Sequence, residues 1–247
     1  MSQNPNIRLF VKNPLSRGAQ VTLNRDDSHY LLNVMRKSEG DEVSLFNGVD
    51  GEWAARISGG SKKSLGLKVL EQLKLQPQDP DLWLAFAPIK RARIDFIAQK
   101  ATELGVSRLI PVRTERTVVK RVKVERLWAN AKEAAEQCER QTVPDVDEMT
   151  SLKSLLKTWQ RGRKLLFCDE DKTGALITEA LRGADQKPAR FPWGILIGPE
   201  GGFSDIERQM IRAHVACVPA SLGPRVLRAD TAMLSALSLW QATLGDW

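Results

Sequence analysis

The chain has 247 residues, of which 42% are hydrophobic and 27% charged, so it can bury the core of one or two domains and is not disordered. No apolar run approaches the roughly 20 residues of a membrane-spanning helix. No basic stretch followed by an apolar one stands near residue 1, so no secretory signal is expected. Three widely spaced cysteines and two histidines argue against a disulfide framework or a structural zinc site. We expect a soluble, cytoplasmic protein without a metal.

The positive charge is concentrated in one segment. The chain carries 37 basic and 30 acidic residues, a net charge of +7. Residues 88–123 contain ten basic and three acidic residues, so this segment holds the whole excess. A localised basic stretch is typical of a surface that binds a polyanion such as nucleic acid. A solvated helix face is the alternative interpretation.

The first 76 residues have the pattern of a small β domain. Apolar residues alternate at a period of two in residues 43–45, 53–57 and 65–69, as in half-buried strands. The sequence 47–51 predicts a hairpin turn between the first two strands. Residues 26–36 predict one helix. A barrel with one helix is expected, followed by a linker at 76–80 that contains two prolines.

The remaining residues alternate between strand and helix patterns, which indicates an α/β domain with a mostly parallel sheet and helices on both faces. Strands are predicted at 82–87, 106–112, 164–168, 193–197 and 215–221. Helices are predicted at 94–104, 124–140, 151–159, 174–181, 205–213 and 230–244.

Two loops at the carboxyl ends of predicted strands contain glycine and could bind a ligand. In the first, residues 195–207, Gly201 and Gly202 remove two β-carbons where a ligand could approach the backbone. Ser204 and Glu207 form a capping-box pattern for the next helix. The glycine spacing fits neither a Walker loop nor a dinucleotide-binding motif, but an adenosine ligand without phosphates is compatible with it. A tight strand-to-helix turn is the alternative.

The second loop, residues 221–232, carries Arg225, Arg228 and Asp230 between a strand and the last helix. These side chains could contact a ligand at the end of the sheet. Alternatively, the two arginines form surface salt bridges and Asp230 caps the helix.

Together the two loops, GPEGGFSDIE and LGPRVLRADTA, resemble the signature of the bacterial 16S ribosomal RNA uracil-N3 methyltransferases, members of the S-adenosylmethionine-dependent SPOUT superfamily. The stretches QKATELGV (99–106), Glu115-Arg116 and AEQCER (135–140) are similar to the same family, as are HYLLNVMR and LFNG in the first 76 residues. The resemblance covers essentially the whole chain in order. One difference is Asp230, where the family usually has glutamate.

The resemblance implies a PUA-like β-barrel over residues 1–76 that binds RNA, and a SPOUT α/β domain with a deep trefoil knot over residues 77–247. It also implies a homodimer and a substrate in the 16S RNA of the small ribosomal subunit. The two loops would bind S-adenosylmethionine, with Leu196, Ile197, Gly198, Glu200, Gly201, Gly202, Leu222, Gly223, Leu227 and Arg228 as the predicted contacts.

Methylation of N3 requires that uracil lose its N3 proton, which leaves negative charge on its carbonyl oxygens. Arg228 is the first candidate to stabilise this anion and Arg225 the second. Glu136, Asp230, Glu200 or water could accept the proton.

The predicted RNA contacts are basic residues of both domains. They are Arg36, Lys37, Arg91, Arg93, Arg116 and Lys120, with Lys62 and Lys63 as further phosphate contacts of the barrel. Two alternatives remain at this point: another SPOUT RNA methyltransferase, and a non-catalytic RNA-binding protein, which would have no affinity for S-adenosylmethionine.

Overall fold

The computed structural model describes residues 7–89, 91–171, 174–184 and 192–247. It divides into two compact units, one formed by Met1–Gln78 with Ala135–Val143 and the other by Asp79–Ala134 with Pro144–Trp247. The sequence predicts a single break between residues 76 and 77. The structure instead has a return segment, 135–143, that belongs with the first unit.

The first unit contains a five-stranded sheet. Its strands are β1 (Arg8–Phe10), β2 (Gln20–Thr22), β3 (Glu42–Phe46), β4 (Glu52–Ser61) and β5 (Ser64–Lys74). They lie in the order β1-β3-β4-β5-β2, and only the β1–β3 pair is parallel. The three predicted strands are confirmed as β3, β4 and β5. Strands β1 and β2 have three residues each, too few to show a period of two in the sequence.

The predicted helix at 26–36 is shorter and less regular than expected. Helix α1 (Arg25–His29) continues as a π-helical stretch, Tyr30–Val34. Arg36 then adopts a left-handed backbone conformation with φ of 53°. A right-handed helix cannot continue through such a residue, so the helical segment ends before it. The apolar side of this segment packs through Leu31 onto the core of the sheet.

The return segment is held to the first unit by buried polar contacts. The Arg8 guanidinium pairs with Glu52 at 3.0 Å and donates to the Ala135 carbonyl at 2.8 Å. The side chains of Arg8 and Glu52 are 7% and 4% exposed. The Phe10 backbone N–H donates to Oε1 of Glu136 at 2.9 Å. The carboxylate of Glu136 is therefore part of the packing of this unit.

The second unit contains an eight-stranded sheet in which every strand pair is parallel, as predicted. Its strands are β6 (Leu82–Phe86), β7 (Arg108–Arg113), β8 (Asp145–Val146), β9 (Thr150–Ser151), β10 (Lys164–Cys168), β11 (Ala175–Leu176), β12 (Trp193–Ile197) and β13 (Cys217–Ser221). The order is β11-β13-β10-β12-β6-β7-β8, with β9 also paired to β7.

Over the described residues, the helices of this unit are α2 (Arg91–Glu103), α3 (Val124–Gln137), α4 (Leu152–Lys157), α5 (Ile177–Ala184), α6 (Asp205–Arg212) and α7 (Ala229–Leu244). The last three residues of α3 lie in the return segment of the first unit. The predicted helix at 174–181 begins later, because Ala175 and Leu176 pair with β13 as a short strand. Over the described ranges, no helix is long and apolar enough to cross a membrane.

Helices cover both faces of this sheet, which explains the continuous apolar strands. On β12, Ile195 and Ile197 share one apolar cluster with helices α2, α5 and α7. Leu196 points to the opposite face and packs with α4 and α6. Because side chains alternate along a strand, each central strand contributes to both cores.

A buried arginine joins the amino-terminal ends of three neighbouring strands. Arg163, which precedes β10, is 1% exposed. Its guanidinium donates to the carbonyls of Asp81 at 3.0 Å and Trp193 at 2.8 Å, next to β6 and β12, and to the Asp81 carboxylate at 2.7 Å. It also lies 3.5 Å from the centre of the Trp83 ring. One side chain thus joins the amino-terminal ends of three strands, at the edge of the sheet opposite the glycine loops.

Replacing Arg163 by alanine should lower the free energy of unfolding by about 3 kcal/mol, because the buried Trp193 carbonyl and the partly buried Asp81 carbonyl lose their charged donor. The matched control is Arg161→Ala, two residues away and exposed, which should change stability by less than about 0.5 kcal/mol. Urea denaturation of the two variants measures the difference. Equal stability would contradict a role for Arg163 in joining the strands.

Candidate functional site

A cavity of about 380 Å³ lies at the carboxyl ends of three adjacent strands, β12, β10 and β13. Its walls come from the loops that follow these strands and from the beginning of α7. The lining residues are 168–170 from the end of β10 onwards, 197–200 with 202 from the end of β12, and 221–223, 225–229 and 232 from the end of β13, together with Arg93 of α2. Parallel sheets bind ligands at this edge, and the volume is in the range of small-molecule sites.

Both glycine-containing loops meet in this cavity. Eight of the ten predicted cofactor contacts line it, namely Ile197, Gly198, Glu200, Gly202, Leu222, Gly223, Leu227 and Arg228. The other two predicted positions do not. Leu196 points to the opposite face of β12 from Ile197 and lies in the core. A β-carbon at Gly201 would stand 3.5 Å from the Arg116 side chain, away from the cavity.

Residues 168–170 form a third wall of the cavity, which the sequence pattern does not predict. Oε1 of Glu170 accepts hydrogen bonds from the Phe203 backbone N–H at 3.0 Å and from Arg208 at 3.2 Å. The Glu170 carboxylate thus joins the loop after β10 to the loop after β12. The one sequence signal was a polar run, Asp169-Glu170-Asp171, placed directly after a buried strand.

Gly202 is required by this link. Its backbone has φ of 68°, a left-handed conformation, and a β-carbon there would overlap Oε1 of Glu170. Ser204 and Glu207 form the predicted capping box at the start of α6. Oε1 of Glu207 also accepts from the backbone N–H of Glu115 at 2.9 Å. The glycine turn is therefore held from both sides.

Asp169 is a buried carboxylate of the cavity wall, with its side chain 1% exposed. It accepts hydrogen bonds from the Arg212 guanidinium of α6, at 2.8 Å from Nε. Arg212 also pairs with the exposed Asp171 at 2.8 Å and thereby lowers the pKa of that carboxyl. This pairing attaches α6 to the carboxyl end of β10.

Arg93 lies between two of the predicted proton acceptors. Its guanidinium is 2.6 Å from Glu200 and 3.7 Å from Asp230. Arg93 is one of the predicted RNA contacts, and in the structure it lines the cavity. Asp230 does not cap α7: the N-cap residue is Arg228, and Asp230 lies in the first turn.

Arg225 and Arg228 are exposed and line the cavity. Neither guanidinium forms an ion pair with any residue in the described part of the chain. Both arginines are therefore available to an anionic ligand, in contrast to the paired Arg93.

Glu136, a predicted candidate, lies apart from the cavity in the described part of the chain. The described residues that line the cavity do not include it. Its carboxylate accepts from the Phe10 backbone in the first unit. The physical reason is the return segment, which the local sequence pattern does not reveal.

The predicted RNA contacts fall into three groups. Arg36 is exposed, Lys37 is half-buried, and Lys62 and Lys63 are exposed in the first unit. Lys120 is exposed in the second unit, whereas Arg116 donates to the Gly201 carbonyl at 2.8 Å. Arg91 begins α2, but its side chain lies outside the described residues, as does Lys90 of the basic segment.

Cys168 lines the cavity but is not suited to act as a nucleophile. Burial raises the pKa of its thiol to about 12, so the thiol is neutral near pH 7. Burial also raises the pKa of the neighbouring Cys217 to about 11. Within the described ranges, no group of three or more His, Cys, Asp and Glu residues could hold a metal ion.

The three cysteines should differ in reactivity towards iodoacetamide at pH 8. Cys138 is exposed and should be alkylated first, whereas on the order of one in 10⁴ Cys168 thiols is a thiolate at that pH. Mass spectrometry of peptides from briefly treated native protein measures the order. Alkylation of Cys168 as fast as Cys138 would contradict its neutral, buried state.

Comparison with protein families gives two matches that follow one another along the chain. Residues 76–241 match an RNA methyltransferase domain, and residues 23–70 match an RNA methyltransferase PUA domain. The first match alone covers more than half of the chain.

Similar proteins and structures extend over nearly the whole length. The chain is 31% identical to ribosomal RNA small subunit methyltransferase E of Rickettsia conorii, over 94% of this chain and 93% of the relative, and 30% identical to that of Bacillus subtilis, over 93% and 92%. The crystal structure of ribosomal RNA small subunit methyltransferase E from Neisseria gonorrhoeae, bound to S-adenosylmethionine, is similar with a TM-score of 0.85 and 27% identity, covering 98% of this chain and 99% of that one. A methyltransferase of Legionella pneumophila in complex with the same cofactor has a TM-score of 0.84 and 29% identity over the whole of both chains. The chain belongs to the family of RNA methyltransferases that contains ribosomal RNA small subunit methyltransferase E.

Proposed function

We propose that this protein transfers the methyl group of S-adenosylmethionine to N3 of a uracil in the 16S RNA of the small ribosomal subunit. The observation that carries the proposal is the cavity at the ends of β12, β10 and β13, in a chain of this family. Relatives over most of the length are named for ribosomal RNA of the small subunit. The choice of uracil N3 rests on the resemblance of the two loops to the uracil-N3 methyltransferases.

The residues of the cavity fit this cofactor. Ile197, Leu222 and Leu227 offer apolar surface for an adenine ring, and the glycine-containing loops bring backbone polar groups within reach of the ribose. A β-carbon at Gly223 would meet nothing within 4 Å, so this wall is open to a ligand. S-adenosylmethionine, when bound, supplies an electrophilic methyl group.

The two arginines of the loop after β13 would stabilise the substrate anion. A uracil that has lost its N3 proton carries negative charge on its carbonyl oxygens, and a guanidinium held nearby lowers the free energy of that charge. Arg228 is the N-cap residue of α7, so its backbone is fixed at the end of a regular element. Arg225 is the second candidate.

Glu200 and Asp230 are the proposed proton acceptors among the side chains, with water as the alternative. Both carboxylates face Arg93. Their pairing with Arg93 fixes their orientation, and one of them would accept the N3 proton when uracil lies in the cavity. Asp230 reaches one methylene less far than the glutamate usual in the family.

The architecture of the active enzyme is part of the proposal. The first unit would be the PUA-like barrel that positions RNA, with Arg36 and Lys37 as phosphate contacts. The second unit would be the SPOUT domain, with its trefoil knot at the cofactor loops, and would form a homodimer. Since the proposed substrate is ribosomal RNA, the protein would act in the cytoplasm.

The proposal is tested by incubating the protein with S-adenosylmethionine and small ribosomal subunits from a strain that lacks the enzyme. Mass spectrometry of the RNA should then detect one N3-methylated uracil. Methylation at another atom would favour a different SPOUT RNA methyltransferase. Absence of any cofactor affinity in calorimetry would favour a non-catalytic RNA-binding protein.

Gly202→Ala should weaken S-adenosylmethionine binding by more than tenfold, because the new β-carbon displaces Glu170 and strains a backbone with φ of 68°. The matched control is Gly201→Ala, whose β-carbon makes ordinary contact with Arg116 and should leave affinity within about twofold. Calorimetric titration compares them. A larger loss at Gly201 than at Gly202 would contradict the assigned geometry of the turn.

Arg228→Ala should lower kcat about a hundredfold while changing cofactor affinity only a few-fold. Removing one preorganised donor to a developing charge typically raises the barrier by ~3 kcal/mol. Single-turnover methylation of small subunits and a parallel cofactor titration separate the two effects. If kcat is unchanged, Arg228 does not stabilise the substrate anion.

A further inference from the structure

The loop between β7 and α3 is a fixed, basic segment beside the cavity. We call residues 113–123 the arm. It follows the carboxyl end of β7, and because the sheet is parallel this end lies on the same edge as the cavity. After Arg113, the last residue of β7, the arm contains no regular secondary structure, yet several of its residues are held in place.

Its backbone is anchored at two points along its length. Near its beginning, the Thr114 and Thr117 hydroxyls are hydrogen-bonded at 2.8 Å and close a turn. Further along, Val119 and Val122 pack against the apolar core. A loop fixed in this way loses little conformational entropy when it binds a partner.

The charged side chains of the arm are exposed to solvent, whereas Val119 and Val122 pack against the core. Five cations are exposed: Arg113, Arg116, Lys120, Arg121 and Lys123. The only carboxylate within the arm is Glu115. Lys120 and Arg121 stand between the partly buried Val119 and the buried Val122, which pack against the core and leave the two charges in solvent. A row of fixed cations with little acidic compensation suits the phosphates of a nucleic acid.

The base of the arm touches the glycine turn of the cavity. The Arg116 guanidinium donates to the Gly201 carbonyl at 2.8 Å, and the Glu115 N–H donates to Glu207 at 2.9 Å. Gly202, the next residue in the turn, lines the cavity. The loop that would hold the cofactor and the loop that carries the cations thus share two hydrogen bonds.

We propose that the arm is an RNA-binding element coupled to the cofactor site, in which Lys120, Arg121 and Lys123 contact RNA phosphates and Arg116 is a positioning residue for the glycine turn. This inference rests on the proposed function. The arm and the glycine turn share two hydrogen bonds, so RNA on the arm and cofactor at the turn would favour the same arrangement of these bonds and would strengthen each other's binding. Linkage requires the two enhancements to be equal.

The phosphate contacts are tested with the triple variant K120A/R121A/K123A. The slope of log affinity against log salt for a 16S RNA transcript should decrease in magnitude by about 2, since each contact with single-stranded RNA contributes about 0.7. Affinity for S-adenosylmethionine without RNA should be unchanged. The matched control, K153A/K157A/R161A, removes the same charge from exposed positions at and after α4 and should leave the slope unchanged.

The positioning role is tested with Arg116→Ala and Arg116→Lys. Without RNA, Arg116→Ala should weaken S-adenosylmethionine binding about fivefold, since the Gly201 carbonyl loses a charged donor. Arg116→Lys keeps a donor and should recover part of the loss. In the wild type, saturating cofactor should tighten RNA binding severalfold, and Arg116→Ala should abolish this enhancement.

The outcomes separate this inference from the proposed function. If the wild type binds no S-adenosylmethionine, the proposed function fails. If the wild type binds both ligands but Arg116→Ala changes neither cofactor affinity nor the enhancement, Arg116 is not a positioning residue. If the triple variant keeps the wild-type salt slope, the arm does not contact RNA phosphates.

Discussion

The site depends on one constraint: three parallel strands lie next to one another and end at the same edge of the sheet. Strand β10 lies between β12 and β13, so the loops after these strands leave the sheet side by side. Parallel strands require crossovers that bring the chain back to the same edge, and here three successive crossovers deliver residues 168–170, 197–202 and 221–229 to one place. The Glu170 carboxylate then joins two of these loops through the Phe203 N–H.

Local sequence patterns were sufficient to predict the strands and the helix that surround the site. Strands β10 and β12 agree with prediction to the residue, because each is a continuous apolar run covered on both faces. Helix α6 begins where the capping box predicts. The two glycine loops were found because glycine marks backbone that approaches another group closely. At Gly202 that group is the Glu170 carboxylate.

The parts that were missed depend on contacts between distant residues. The polar run that contains Glu170 does not indicate which residue it binds, and its partner Phe203 lies 33 residues away. Glu136 looks like a functional carboxylate in the sequence, yet Phe10, 126 residues away, binds it in the first unit. Such pairs are decided by the course of the chain through space, which neither periodicity nor composition describes.

The basic segment shows why net charge alone overstates the surface available to RNA. Arg93 pairs with Glu200 in the cavity wall, Arg108 pairs with Asp147 at 2.9 Å and lies over Trp83, and Lys100 pairs with Glu103 at 2.7 Å. These cations stabilise the fold or the site and release few counterions on binding a polyanion. The cations of residues 113–123 differ, because the partly buried Val119 and the buried Val122 pack against the core and leave the charges in solvent. Folding brings a carboxylate next to Arg93, Arg108 and Lys100, and these cations form ion pairs in the protein. The electrostatic contribution to RNA binding should therefore arise from a minority of the 37 basic residues.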